Sequence, residues 1–470
     1  MDLTTITIAE IAAGLRAKKF SSRQVTQAYL DRAAAENPSL NAYLEVFADA
    51  LAQADAADAR LAALGDAAPA LCGVPVSIKD NILVADRKVS AASKILEGYR
   101  APYSSTVAEK LLAQGAVLLG RTNMDEFAMG ASTETSAYGV TRNPVAPDRV
   151  PGGSSGGAAA SVAGRLAVAA LGSDTGGSIR QPAAMCGAVG FKPTYGAVSR
   201  YGLIAMASSF DQIGPIARTV ADAKTVFDAI RGKDGRDLTT DAKAEAREVK
   251  TVGVPKGWES GVDADVAERF RASLARLEAT GVAIREVELP TLASALACYY
   301  ILVPAEVSSN MARFDGVKFG RRVEGKDLLD TYKKTRGGLL GEEVKRRILI
   351  GTYALSKGYA DQYYRTALAA RRAIAADFAR AFETVDAIAT PTSPFPAWKL
   401  GEKIEDPLAM YAADIFTVAA NVIGAPAISV PDGAVARDGV ALPTGFHLVS
   451  PRWTDDALLS FAEKFESLGR

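Results

Sequence analysis

Histidine, the usual proton carrier of hydrolases, occurs once in this sequence, at His447. Zinc sites built from several histidines are thereby excluded, and a Ser-His-Asp triad would have to use that one residue. His447 itself reads as a polar side chain near the end of a strand. Hydrolytic chemistry then needs another base, and Lys79 stands where it can supply one, in Ser77-Ile78-Lys79-Asp80-Asn81 directly after an apolar strand. A lysine there either snorkels to solvent or is desolvated. Burial disfavours the ammonium form until the neutral amine becomes a usable base near pH 7.

Two glycine-serine loops supply candidate nucleophiles. Gly152-Gly153-Ser154-Ser155-Gly156-Gly157 flanks paired serines with glycines, which suits a flexible turn or a backbone that approaches a ligand closely. It lacks the G-K-[ST] ending of a phosphate-binding loop and the GxGxxG dinucleotide fingerprint. Gly172-Ser173-Asp174-Thr175-Gly176-Gly177-Ser178-Ile179-Arg180 places a serine after two glycines, just before a helix expected from Pro182. Ser178 there is either a helix N-cap or a nucleophile beside backbone N–H groups that converge on one oxygen, as an oxyanion hole requires. Lys79, Ser154 and Ser178 lie 75 and 24 residues apart, each on a loop or strand end.

The elements that must hold these groups follow from periodicity. Capping boxes at Thr7-Ile8-Ala9-Glu10 and Ser21-Ser22-Arg23-Gln24 open two helices, the second running to about Glu36 before Asn37-Pro38. Ala48 to Leu64 gives a third. Gly73 to Ile78 reads as a buried strand, Val107 to Gln114 as a helix, and Ala116 to Gly120 as a strand. Asn123 to Ala160 is dense in turn formers and poor in charge, the texture of a functional loop. A helix and a strand at Ala167 to Leu171 follow. Val220, Ala223, Val226, Phe227 and Ile230 mark an amphipathic helix. Lys233 to Val249 reads as a charged surface excursion, Thr251 to Pro255 as a strand, and Asp263 to Phe382 as mainly helical. Strands at Ala387 to Thr390 and Ala427 to Val430 close the pattern. Interleaved strands and helices predict an α/β fold, a mixed sheet covered on both faces, in one body spanning 1–470 with N-terminal helices over 1–65.

Fifty-four basic residues balance fifty-four acidic ones, so net charge points neither to an unaided nucleic-acid binder nor to a membrane-surface protein. Lys345-Arg346-Arg347 is the strongest local basic run. Cys72, Cys186 and Cys298 lie far apart, which fits a reducing compartment. The start MDLTTITIAE lacks the features of a signal peptide, and the longest membrane candidate, Gly156 to Leu171, contains Arg165. The expectation is a cytoplasmic protein.

Taken together, the upstream lysine and the pattern GGSSGG…GSDTGGSIRQPA resemble the amidase signature family, over roughly Gly73 to Thr219 with weaker similarity to the C-terminus. The resemblance implies a layered α/β amidase signature fold and a Ser-cisSer-Lys mechanism. Ser178 would attack the amide carbonyl. Ser154, with a cis peptide bond to Gly153, would hydrogen-bond Ser178 and relay its proton to Lys79. Backbone N–H groups of Thr175, Gly176, Gly177 and Ser178 would hold the oxyanion.

Within that family, Arg121 to Gly130 followed by Ser132-Thr133-Glu134, Ser208 to Pro215 and Gly351 to Ser356 resemble the A subunits of aspartyl/glutamyl-tRNA amidotransferases. Such subunits hydrolyse glutamine and pass ammonia to a B subunit, which binds misacylated tRNA and uses ATP and Mg, while a small C subunit clasps the pair. The resemblance implies no cofactor in this chain. It also implies a glutamine site using Arg347 for the α-carboxylate, Asp414 for the α-amine, and Tyr299 and Met129 as lining. Against those roles stand a surface arginine on a basic helix and an aspartate on a helix face. His447 and Ser450 depart from the glutamine and glycine usual in relatives. Rival readings are a free-standing amidase acting on small amides, a catalytically dead structural component of an amidotransferase, and a Schiff-base enzyme built on Lys79.

Overall fold

A computed structural model describes residues 2–469. Among them eleven strands join in one mixed sheet: β1 (Tyr43–Val46), β2 (Pro75–Lys79), β3 (Val117–Thr122), β4 (Ala169–Asp174), β5 (Val189–Lys192), β6 (Gln212–Ala217), β7 (Thr251–Pro255), β8 (Ala283–Val287), β9 (Ala387–Pro391), β10 (Ala427–Arg437) and β11 (Val440–Val449). Their spatial order is β1-β3-β2-β4-β6-β5-β10-β11-β9-β7-β8. The strand ending in Lys79 runs parallel to both neighbours, β3 and β4, and every one of its residues is buried. A strand covered on both faces reads as an apolar run, which Pro75, Val76 and Ile78 supply, while the buried Ser77 hydroxyl meets Ser161 Oγ at 3.3 Å.

The two faces can be told apart along β11, where successive side chains alternate. Phe446 stacks between Phe270 and Phe465, with ring centroids 5.3 and 4.4 Å away, so the helices Ala264–Glu278 and Asp455–Ser467 cover that face. His447 points the other way, to Arg180 at the start of the helix Arg180–Cys186. The helix Gly156–Ala163 lies against this second helix through Ala158, Ala159 and Val162. Its small residues allow close approach: a Cβ on Gly157 would come within 2.4 Å of the Asn123 carbonyl oxygen.

Both capping boxes form as expected, but the second helix does not stop before Pro38. It continues to Leu40, with Pro38 on its exposed side, where the carbonyl deprived of an N–H partner can be hydrated. The helix before β5 begins at Arg180 rather than Pro182. Five strands escaped the pattern. β1 and β8 are short edge strands, β5 and β6 are broken by glycine or proline, and β11 pairs with β10 in a hairpin longer than the apolar run at Ala427 to Val430. The longest apolar helical run is Leu292–Arg313, 22 residues, rather than Gly156 to Leu171. It packs against the helices Glu342–Leu355 and Thr366–Ala381, contributing Cys298, Tyr299, Leu302, Val303 and Val307 to the core.

The helix Glu342–Leu355 carries Arg347, and its seat is set by Gly351, where an added Cβ would fall 1.8 Å from the Pro304 carbonyl oxygen. Gly351→Ala should therefore destabilise the protein by about 1–3 kcal/mol through overpacking. Gly337→Ala, on a helix face with open space, should be neutral or mildly stabilising. Denaturant midpoints of the two variants check this, and equal midpoints would count against the packing argument.

Candidate active site

Lys79 ends β2 fully buried. Its Nζ donates to Ser154 Oγ at 2.7 Å, Ser155 Oγ at 2.8 Å and Ser173 Oγ at 2.9 Å, with the Ser173 carbonyl at 3.3 Å. Among the described residues no carboxylate forms an ion pair with it. The cage is built by the ends of two neighbouring elements, since Ser173 lies on β4 and Ser154-Ser155 immediately precede the helix Gly156–Ala163.

The peptide bond Gly153–Ser154 is cis, as the resemblance implied. Gly153 is required there because a Cβ would lie 2.1 Å from Asp125 Oδ2. Asp125 organises the preceding loop, accepting from Thr133 N at 2.9 Å and Thr135 Oγ1 at 2.9 Å, while its own N–H donates to the Ser154 carbonyl at 3.2 Å.

Ser178 is joined to this unit through the backbone, the Ser155 N–H donating to its carbonyl at 3.1 Å. The expected hydrogen bond between the Ser154 and Ser178 hydroxyls is not formed. Ser154 Oγ is engaged by Lys79, and Ser178 Oγ has no hydrogen-bond partner among the described residues. Such contacts often tighten only when substrate is bound.

Asp174 shapes the turn around Ser178. Its Oδ1 accepts from Gly177 N at 2.9 Å, Asn421 Nδ2 at 2.9 Å and Arg180 Nη2 at 3.0 Å. Its Oδ2 accepts from Ile179 N at 3.1 Å and Arg180 Nε at 3.0 Å. The fourfold oxyanion expectation is corrected at one position, because the Gly177 N–H is already taken by Asp174. The N–H groups of Thr175, Gly176 and Ser178 have no acceptor among the described residues. Gly177 has φ +144°, and a side chain there would strike Thr417 Oγ1 at 2.2 Å. Asp211 steadies the other side of the turn, accepting from Thr175 Oγ1 at 2.7 Å.

The expected pocket residues are placed unequally. The Tyr299 hydroxyl lies 2.8 Å from where a Gly176 Cβ would be, and Asp414 Oδ1 lies 3.1 Å from the Gly177 Cβ position. Asp414 Oδ1 is buried with no hydrogen-bond partner. Arg347 is 3% exposed, which removes the surface-arginine reading. Its Nε donates to Glu343 Oε1 at 2.7 Å, and its guanidinium carbon lies 5.2 and 5.4 Å from the Tyr300 and Tyr411 rings. The Tyr411 hydroxyl also donates to Glu343 Oε1, at 2.7 Å. Arg347 Nη1 and Nη2 have no hydrogen-bond acceptor among the described residues. Met129 is wholly buried, its carbonyl oxygen 3.3 Å from Thr135 Oγ1, so the structure gives it a loop-packing environment.

Ser155, Ser173, Asp174 and Arg180 fall inside the glycine-serine motifs but, like Asp125 and Glu343, take no individual role from the sequence. The spacing of Glu343 and Arg347, four apart on one helix, was the available signal for that pair. The other five became legible only through their partners.

The Amidase family profile matches residues 24–459. The chain belongs to the amidase family. This amidase is 50% identical to the A subunit of glutamyl-tRNA(Gln) amidotransferase from Thermosynechococcus vestitus, over 98% of this chain and 97% of the relative. The crystal structure of the A subunit of glutamyl-tRNA(Gln) amidotransferase from Thermotoga maritima superposes with a TM-score of 0.79 at 39% identity, covering 98% and 94% of the two chains. The native peptide amidase of Stenotrophomonas maltophilia superposes at 0.80 with 31% identity, covering 98% and 96%.

Burial brings Lys79 of this amidase down to about 7, opposed by the more distant Asp125, Asp174 and Asp211. Above that pH the amine is neutral, and its lone pair can take a proton from a serine hydroxyl. Below it the ammonium can only donate. Amide hydrolysis should therefore lose about tenfold in kcat/KM per pH unit below about 7. Lys79→Ala should lower the rate by about 10²–10⁴-fold with the fold intact by circular dichroism. A flat acid limb, or an active alanine variant, would remove Lys79 as the base.

Proposed function

We propose that this amidase is the glutamine-hydrolysing A subunit of a glutamyl/aspartyl-tRNA amidotransferase, its 470 residues acting as one amidase unit. The observation that carries this reading is a buried, unpartnered carboxyl at the nucleophile turn, within the electrostatic reach of the Arg347 guanidinium. Asp414 offers a buried carboxylate oxygen with no partner beside Gly177, and Arg347 has unclaimed terminal nitrogens beside the stacked Tyr300 and Tyr411 rings. A free glutamine needs both, an anion for its α-ammonium and a cation for its α-carboxylate. Burial pushes the Asp414 carboxyl well up, and Arg347 pulls it down. An arriving ammonium would favour its ionised form. Relatives about half identical over nearly the whole chain carry the corresponding name.

In the proposed reaction Ser178 Oγ attacks the glutamine side-chain carbonyl, and its proton passes through the Ser154 hydroxyl to neutral Lys79. The N–H groups of Thr175, Gly176 and Ser178 stabilise the tetrahedral oxyanion, each such donor being worth about 3–4 kcal/mol in the transition state. Collapse breaks the C–N bond, the proton held by Lys79 returns to the leaving nitrogen, and ammonia departs. Water then hydrolyses the γ-glutamyl ester by the same relay to give glutamate and free Ser178. B and C subunits in the cytoplasm would complete the assembly, with ATP, Mg and misacylated Glu-tRNA or Asp-tRNA bound by the partner.

Ser178→Ala in the assembled complex should abolish glutamine-dependent amidation of Glu-tRNA yet leave amidation with ammonium salt intact, since the acceptor chemistry lies elsewhere. Failure of ammonium to rescue an intact complex would sink this division of labour. Asp414→Asn should cost about 1.5–3 kcal/mol in kcat/KM for glutamine, roughly ten- to hundredfold, while a neutral amide substrate is little affected. A free-standing amidase would instead fail to co-purify with B and C subunits and would prefer substrates without the α-amino acid group.

A further inference from the structure

His447 is fully buried, with Nε2 2.8 Å from Arg180 Nη1 and Nδ1 3.1 Å from Thr390 Oγ1, on its register partner in β9. A guanidinium only donates, so Nε2 accepts, and the imidazole is neutral with its proton on Nδ1, directed at Thr390 Oγ1. Burial and the adjacent Arg180 hold the ring well below the ordinary imidazole range, with Asp174 opposing and Lys192 reinforcing.

Arg180 itself is fully buried, and its donors are completely assigned. Nε serves Asp174 Oδ2 at 3.0 Å, Nη2 serves Asp174 Oδ1 at 3.0 Å and Asn421 Oδ1 at 2.6 Å, and Nη1 serves the Thr417 carbonyl at 2.9 Å and His447. All five N–H groups thus have one acceptor each. Asp174, gripped by two of them, accepts the N–H groups of Gly177 and Ile179, the residues on either side of Ser178.

We infer that His447 is a positioning residue for the nucleophile turn: as the neutral acceptor of the last Arg180 donor it fixes the guanidinium, which aims Asp174, which holds the backbone flanking Ser178. The inference rests on Ser178 as nucleophile and not on glutamine as substrate. Loss of the acceptor leaves one buried guanidinium N–H unpaired and lets the fork rotate, loosening the turn on which the oxyanion donors sit.

The test uses the full chain co-expressed with its partner subunits, reading kcat and KM for glutamine together with the rate of fluorophosphonate labelling at Ser178. His447→Gln supplies a carbonyl acceptor and should keep kcat and labelling within about threefold of wild type. His447→Leu removes the acceptor and should lower both by at least about tenfold, with KM changed less than about twofold. Thr390→Val leaves Nε2 facing Arg180 but takes away the acceptor that holds the Nδ1–H edge of the ring, and should slow labelling by about threefold or more. Wild-type labelling in the leucine variant, an equal loss in the glutamine variant, or a loss confined to KM would each overturn the inference. If the leucine variant does not fold, the valine variant decides, and a wild-type rate there overturns it. A wild-type chain that labels at Ser178 but does not hydrolyse glutamine counts against the glutaminase reading alone and leaves the labelling comparison valid.

Discussion

An amine with no water and no carboxylate beside it holds its proton weakly, and everything around Lys79 serves to keep both away. The strand that ends in this lysine is buried on both faces, so solvent cannot reach the nitrogen. Its contacts are three hydroxyls and one carbonyl, groups that can stabilise the ammonium, while the hydroxyls can also turn to donate to the neutral amine. The nearest carboxylates are committed elsewhere, Asp125 to its loop, Asp174 to Arg180 and Asp211 to Thr175. A direct ion pair in place of one serine would restore the charge and remove the neutral amine that the proposed base requires. The glycine-rich loops follow from the same demand, because Ser154 and Ser173 must approach a strand end more closely than larger neighbours would allow.

This explains why the candidate chemical centre was readable from sequence while its support was not. Lys79, Ser154 and Ser178 announce themselves by residue type in unusual local settings, one after an apolar run and two among glycines. Periodicity also located β2, β3 and β4 and the two capped N-terminal helices, because each has a hydrophobic pattern of its own. The strands that went unseen lack such a pattern. Gly190 and Pro215 interrupt β5 and β6, and β11 owes its length to pairing with β10 rather than to its own composition. The buried network of Asp174, Arg180, Asn421 and His447 spans more than 260 positions, since Arg180 and His447 are 267 residues apart. No local signal joins them. Asp414 and Arg347 follow from family resemblance alone, and burial then distinguishes them from the surface charges they equally resemble in sequence.

The structure also separates two kinds of work along the chain. The groups positioned for bond making and breaking come from the segment between β2 and the helix Arg180–Cys186, on strand ends and turns tied to the middle of the sheet. The groups proposed to receive the substrate's outer part, Tyr299, Arg347 and Asp414, sit on helical segments encoded after residue 290, with Tyr299 facing Gly176 and Asp414 facing Gly177. Heredity can act on these two sets independently. Substitutions in the late helices would alter the proposed substrate contacts and leave the hydroxyl cage around the lysine where it is, because that cage is built by β2, β4 and the loop before the helix Gly156–Ala163.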